Sequence, residues 1–84
     1  MTGEEQNRIK IFIDQGHNPR NPNAGAEGNG LREQDLTYEI GRRLAQLLNE
    51  DARFAAKLSR NSPEDVLGTS NATSLAARTN AANV

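Results

Sequence analysis

The side chains best suited to chemistry are one histidine and one glutamate, His17 and Glu33, which lie sixteen residues apart. A neutral imidazole nitrogen and a carboxylate oxygen are donors that zinc accepts, at about 2.0–2.2 Å. Plainer roles stay open for both residues: His17 as an ordinary histidine of a surface loop, and Glu33 as a carboxylate that caps a helix. Two roles are also open for Asp14, which either accepts a hydrogen bond from the His17 ring or caps the loop.

Two predicted elements would place His17 and Glu33 side by side. Residues 9–14 are rich in β-branched residues and carry apolar residues on both faces, which predicts a strand of a covered α/β sheet. Residues 33–48 carry an apolar stripe with helical spacing, which predicts a helix that begins at Glu33. This stripe consists of Leu36, Ile40, Leu44, Leu47 and Leu48. A helix that follows a parallel strand runs back along it, so we expect Glu33 to reach the carboxyl end of the strand, beside His17.

The other segments complete a β-α-β-α order, the start of a mostly parallel sheet flanked by helices. Residues 15–30 hold four Gly, two Pro and four Asn, which predicts one long irregular loop. Residues 54–60 are predicted as a second strand and residues 74–84 as the opening of a helix. Two strands and two helices cannot cover both faces of such a sheet, so we expect an α/β fold that is incomplete, preceded by a flexible N-terminus at residues 1–8.

Composition excludes several classes of protein. Ten basic and eleven acidic residues give a net charge of −1, which argues against nucleic acid or an anionic membrane as the main partner. No segment approaches the roughly 18 apolar residues of a membrane span, and residues 1–5 are acidic where a signal peptide has a basic start. Without cysteine the chain has no disulfide and no thiol nucleophile. The glycine-rich residues 25–30 lack the spacing of a nucleotide-binding loop.

Several motifs in the same order resemble the catalytic domain of zinc-dependent N-acetylmuramoyl-L-alanine amidases of type 3. They lie at residues 11–17, 25–33, 36–48, 57–60 and 74–83. The resemblance thus covers nearly the whole chain from Ile9 onward. It implies a peptidoglycan hydrolase that cleaves the amide between the muramic acid lactyl group and L-alanine, with peptidoglycan or muropeptides as partners and a location at the cell envelope or outside the cell.

The resemblance also implies a zinc cofactor, with His17 as the first ligand and Glu33 as the second. In the family the third ligand is a histidine on the next strand, and a glutamate further on is catalytic, so both would lie beyond Val84 and no catalytic residue is identifiable here. Family members usually have Pro and often Gly where this chain has Gln15 and Asn18. Leu75, Arg78 and Asn83 match a helical segment that we interpret as structural support.

We therefore expect residues 9–84 to be the N-terminal half of an amidase catalytic domain, inactive as an isolated chain. The alternative is a non-catalytic binding or self-associating module that retains this half-fold. An exposed sheet edge and an uncovered apolar helix face would favour self-association or pairing with the missing C-terminal half.

Overall fold

A two-stranded parallel sheet, a short hairpin and two helices make up the fold. The computed structural model describes residues 7–83. In chain order the elements are β1 (Ile9–Ile13), β2 (Glu27–Gly28), β3 (Leu31–Arg32), α1 (Glu33–Asn49), β4 (Phe54–Leu58) and α2 (Asn71–Ala82). The predicted α/β fold is therefore confirmed. Most of the predicted flexible N-terminus, residues 1–6, lies outside the described residues.

The parallel pair brings two strand ends to one edge of the sheet. β1 and β4 pair from Ile9 opposite Phe54 to Ile13 opposite Leu58, and α1 forms the crossover between them. The pairing extends one residue further, because the Ser59 amide donates to the Ile13 carbonyl over 3.0 Å. Because parallel strands end on the same side, the chain leaves both of them at a common carboxyl edge.

The helix α1 forms as predicted, but its apolar stripe is not the side that packs. Its buried residues are Gln34, Gly41 and Ala45, of which Ala45 alone has an apolar side chain. A Cβ on Gly41 would lie 3.1 Å from Gln15 Cδ, so the absent side chain allows the helix to approach the loop after β1. Four stripe residues are instead 45–66% exposed: Leu36, Ile40, Leu44 and Leu47. The predicted uncovered apolar helix face is thus confirmed.

The prediction that residues 15–30 contain no regular element is wrong at the end of this segment. β2 pairs antiparallel with β3, with Glu27 opposite Arg32 and Gly28 opposite Leu31. The turn between them is Asn29-Gly30, and both residues have left-handed backbones, with φ of 52° and 78°. This dipeptide is a strong hairpin signal, because both turn positions require positive φ. The hairpin ends where α1 begins, so it fixes the first turn of that helix.

The helix α2 begins at Asn71, three residues before the predicted start at residue 74. The preceding Ser70 caps it: Ser70 Oγ accepts from the Thr73 amide over 3.1 Å, and Thr73 Oγ1 accepts from the Ser70 amide over 2.8 Å. This reciprocal arrangement is a capping box, which starts a helix efficiently. α2 buries Ser74 and Arg78, so polar side chains hold it against the rest of the fold. Within residues 7–83, neither helix has the length and apolar character needed to cross a membrane.

We expect Ser70→Ala to lower the free energy of unfolding by about 1 kcal/mol, because the first turn of α2 loses its side-chain cap. Urea unfolding followed by circular dichroism measures this loss. Thr69→Ala is the control, since only the backbone of Thr69 takes part in the capping contacts. An equal loss in both variants would contradict the assigned role of the Ser70 hydroxyl.

Candidate metal centre

The two predicted metal ligands meet at the carboxyl edge of the sheet. His17 follows β1 by four residues and Glu33 is the first residue of α1. His17 Nε2 and Glu33 Oε1 are in direct contact, with the two side chains 34% and 45% exposed. The topological prediction that these residues share one edge is therefore confirmed. Their role as zinc ligands stays a prediction.

The Glu33 carboxylate does not cap the helix. Arg32 is the N-cap residue and makes no side-chain capping bond, while the Glu33 amide donates to the Ala26 carbonyl over 2.9 Å. Glu33 lies in the first turn, where the positive end of the helix dipole favours a carboxylate. Its side chain is therefore available to the site, and its negative charge suits the position.

The absence of a side chain at Gly25 makes room for Glu33. A Cβ on Gly25 would lie 2.7 Å from Glu33 Cβ and 3.2 Å from Glu33 Oε1. Real side chains do not approach as closely as the first of these distances, so any side chain at Gly25 would displace Glu33. The Gly25 amide also donates to Gln34 Oε1 over 3.2 Å. Gly25 thus forms one wall of the site, although the sequence indicated only a glycine-rich loop there.

His17 has a left-handed backbone, with φ of 69°. This conformation is unfavourable for a residue with a Cβ, and it persists only where neighbouring contacts enforce it. Contacts hold the peptide groups on both sides of His17. Thr37 Oγ1 donates to the Gly16 carbonyl over 2.5 Å, and Arg78 Nη2 donates to the His17 carbonyl over 2.8 Å.

Arg78 has more contacts in the site than sequence reasoning foresaw. It is 4% exposed, and its Nη1 donates to Asp14 Oδ1 and to the Gln15 carbonyl, each over 2.6 Å. Its Nη2 donates to the His17 carbonyl and, over 3.1 Å, to Asn18 Oδ1. Asp14 therefore pairs with Arg78. It does not orient the His17 ring, because His17 Nδ1 is buried without a hydrogen-bond partner.

Gln15 is one of the residues that sequence reasoning missed. It is 1% exposed and joins three parts of the chain. Gln15 Nε2 donates to the Tyr38 carbonyl on α1 over 2.9 Å, and Gln15 Oε1 accepts from the Arg60 amide over 2.9 Å. The Gln15 amide donates to Ser59 Oγ over 2.8 Å. This residue thus links the loop after β1 to α1 and to the end of β4.

Asn18 is fully buried and closes the loop on its other side. Asn18 Nδ2 donates to the Pro22 carbonyl over 2.6 Å and to the Leu67 carbonyl over 2.9 Å. Asn18 Oδ1 accepts from the Leu67 amide over 2.9 Å. In the sequence, the only sign of these roles was that two polar residues, Gln15 and Asn18, flank Gly16-His17. That sign does not reveal which groups the two side chains bind.

A second buried arginine supports the first turn of α1. Arg60 is fully buried, and its Nη1 donates to the Gln34 carbonyl over 2.7 Å. Gln34 Nε2 in turn donates to the Pro19 carbonyl over 3.2 Å. Burial and, secondarily, the positive charge of Arg78 lower the pKa of Arg60. The guanidinium lies 5.3 Å from the centre of the Tyr38 ring, whose face attracts a cation.

Chemically, the site offers a nitrogen donor and an oxygen donor that face each other. His17 Nε2 is the ring nitrogen directed at Glu33 Oε1, and this donor pair suits zinc. Within residues 7–83, no group of three or more His, Cys, Asp or Glu side chains is placed to hold a metal ion. The described part of the chain therefore offers at most two of the three protein ligands that catalytic zinc normally has.

Comparison with known proteins assigns the sequence of this chain to a family. The profile of the N-acetylmuramoyl-L-alanine amidase family matches residues 11–84. A sporulation-specific N-acetylmuramoyl-L-alanine amidase of Bacillus subtilis (strain 168) is 46% identical over 76 residues, which is 89% of this chain and 26% of that protein. The N-acetylmuramoyl-L-alanine amidase CwlM of Bacillus licheniformis is 43% identical over 76 residues, with the same two coverages.

This chain thus spans about a quarter of the length of these two relatives. No solved structure matches the chain. The family profile covers all but the first ten residues, and it includes the segments that carry His17 and Glu33. The chain belongs to the N-acetylmuramoyl-L-alanine amidase family.

Proposed function

We propose that this chain supplies two zinc ligands, His17 and Glu33, to a peptidoglycan hydrolase. The reaction is cleavage of the amide between the muramic acid lactyl group and L-alanine, in peptidoglycan or in muropeptides, at the cell envelope or outside the cell. The observation that carries the proposal is the contact of His17 Nε2 with Glu33 Oε1 at the carboxyl edge of the sheet. Membership of the amidase family supports the choice of reaction.

The residues around the contact fit a bound zinc ion. The two donors are a nitrogen and an oxygen, and Gly25 leaves the space that the Glu33 side chain occupies. Of the two His17 ring nitrogens, Nδ1 is buried without a partner and Nε2 faces the Glu33 carboxylate, so Nε2 is the nitrogen that would bind the ion. Both side chains remain partly exposed, so a substrate has access to the site from solvent.

Zinc bound there would supply Lewis-acid chemistry, since it lowers the pKa of a bound water to about 7 and polarises a carbonyl group. The chain's own residues hold and orient the ion. His17 provides a neutral donor and Glu33 a negative charge that offsets part of the metal's charge. The remaining protein ligand and a carboxylate that accepts the water proton are not among residues 7–83 in a position near this pair. We therefore propose that this chain by itself is inactive.

A second candidate function is that of a non-catalytic, self-associating module. The observation that favours it is the exposed apolar side of α1, which includes Ile40 and Leu47, each 66% exposed. Such a surface favours association with another apolar surface. This function requires no metal, so zinc binding through His17 and Glu33 separates it from the first candidate.

We expect one zinc ion to bind per chain, and His17→Ala and Glu33→Gln each to lower the affinity at least tenfold, since each removes one donor. Isothermal titration calorimetry measures the affinity. Glu27→Gln is the control, because Glu27 is an exposed glutamate of the adjacent hairpin whose ion pair is with Arg32. If the unaltered chain titrates like the two ligand variants, the assigned site is wrong.

The Gly25 wall leads to a separate prediction. Gly25→Ala should weaken zinc binding by about tenfold, because the new methyl group displaces Glu33. A loss of this size is typical when a contact that supports a metal ligand is removed. Gly28→Ala is the matched control, because a Cβ there meets nothing within 4 Å. The same titration applies to both variants. Equal affinities would show that the space at Gly25 does not position the carboxylate.

We also expect the purified chain with zinc to release no L-alanine-linked peptide from muropeptides. The reason is that catalytic zinc needs a third ligand and a general base, and residues 7–83 bring neither to the site. Liquid chromatography of a muropeptide digest measures the cleavage. Hydrolysis at a rate comparable to that of a longer member of the family would refute this expectation.

A further inference from the structure

We propose that Arg78 and Thr37 are positioning residues for His17, which together hold its backbone so that the imidazole faces Glu33 before any metal binds. The inference rests on the proposed function, because it takes His17 as a metal ligand. Neither residue touches the position between the two donors. Each acts on His17 through a backbone carbonyl.

The first step of the argument is the pair of peptide groups that flank His17. The carbonyl of Gly16 belongs to the peptide group before His17, and Thr37 Oγ1 donates to it over 2.5 Å. The carbonyl of His17 belongs to the peptide group after it, and Arg78 Nη2 donates to that oxygen over 2.8 Å. The φ and ψ angles of His17 set the relative orientation of these two peptide planes. Two hydrogen bonds that fix the planes therefore restrict φ and ψ of His17.

The second step is the conformation that the hydrogen bonds hold. His17 has a φ of 69°, in the left-handed region that residues with a Cβ rarely occupy. A free loop would relax out of this region and turn the imidazole away from Glu33. Backbone strain of this kind is found at functional sites, where the surrounding structure enforces it. The strain therefore indicates that His17 is held in place.

The third step is the burial and shape of the Arg78 side chain. At 4% exposure, its guanidinium is directed into a segment of five residues, 14–18. It has acceptors at both ends of that segment, from Asp14 Oδ1 at 2.6 Å to Asn18 Oδ1 at 3.1 Å. A planar group with two terminal nitrogens can span these acceptors, whereas the single ammonium of lysine cannot. The identity of the residue is thus part of the inference, beyond its charge.

The test compares Arg78→Lys and Thr37→Val with the unaltered full chain by two measurements. In the metal-free protein, NMR of His17 reports its backbone coupling constant and imidazole chemical shifts. Zinc titration then reports affinity. We expect both variants to change the backbone coupling constant of His17 to a value outside the left-handed range of φ and to shift its imidazole signals. We also expect both to lower zinc affinity about tenfold, which is the size of effect typical of groups that orient a metal ligand.

Asn49→Ala is the control for a general loss of stability. Asn49 lies at the far end of α1, where its side chain accepts from the Ala56 amide over 2.8 Å and donates to the Ala56 carbonyl over 3.3 Å. We expect this variant to be less stable while it keeps the His17 signals and the zinc affinity. An Asn49→Ala variant that loses as much affinity would overturn the inference, because affinity would then follow stability alone.

Two further outcomes bear on the inference. Folded Arg78→Lys with unchanged His17 signals and unchanged zinc affinity would overturn it. If Arg78→Lys does not fold, Thr37→Val tests whether a residue of α1 fixes the His17 backbone. Unchanged His17 signals in Thr37→Val would also overturn the inference. Failure of the proposed function is distinguishable, since zinc binding would then be absent from the unaltered chain while the metal-free NMR still reports whether Arg78 and Thr37 hold His17.

Discussion

The arrangement of this small fold depends on one buried guanidinium. Arg78 projects from α2 into the segment that leaves β1 and donates to side-chain and backbone acceptors from Asp14 to Asn18. These hydrogen bonds tie α2 to the sheet, although the apolar Leu75 on the same helix stays 60% exposed. A buried cation is unfavourable unless it is paired. Arg78 Nε is buried without a partner, so the guanidinium depends on the acceptors of its two terminal nitrogens, which must stay in place for α2 to pack. The position of the His17 loop is a consequence of that requirement.

The interior around this guanidinium is polar. The largest fully buried side chains among residues 7–83 belong to Arg60, Gln15, Gln34 and Asn18, followed by Ser74. The terminal nitrogens of Arg60 and Arg78 are hydrogen-bonded, whereas the Nε atom of each is buried without a partner. A buried network of this kind favours one conformation, because alternatives leave further donors without acceptors. The lowered pKa of Arg60 reflects the same removal from water. The network thus provides rigidity at the edge of the sheet where the candidate metal ligands lie.

Membership of the amidase family and the geometry of the site point to the same chemistry. His17 and Glu33 come from different parts of the fold, and neighbours that are not themselves metal ligands position each of them. Thr37 and Arg78 donate hydrogen bonds to the backbone around His17, and the absent side chain at Gly25 leaves room for Glu33. A metal site needs its donors held in a fixed relation before the ion arrives, and these contacts supply that order. The two donors are the zinc ligands that we propose, in a chain that spans about a quarter of two relatives.

The sequence by itself determined the two strands of the parallel sheet and α1, to within two residues at their ends, and the return of Glu33 to the edge that holds His17. These follow from local periodicity and from the geometry of a parallel crossover. It also contained the turn signal of the β2–β3 hairpin in the dipeptide Asn29-Gly30. Only the tertiary structure decided which face of α1 is buried and what Arg78 holds in place. Those outcomes depend on hydrogen bonds between residues that are distant in the sequence, such as Gln15 with Tyr38 and Arg78 with His17, and no local pattern encodes such partners.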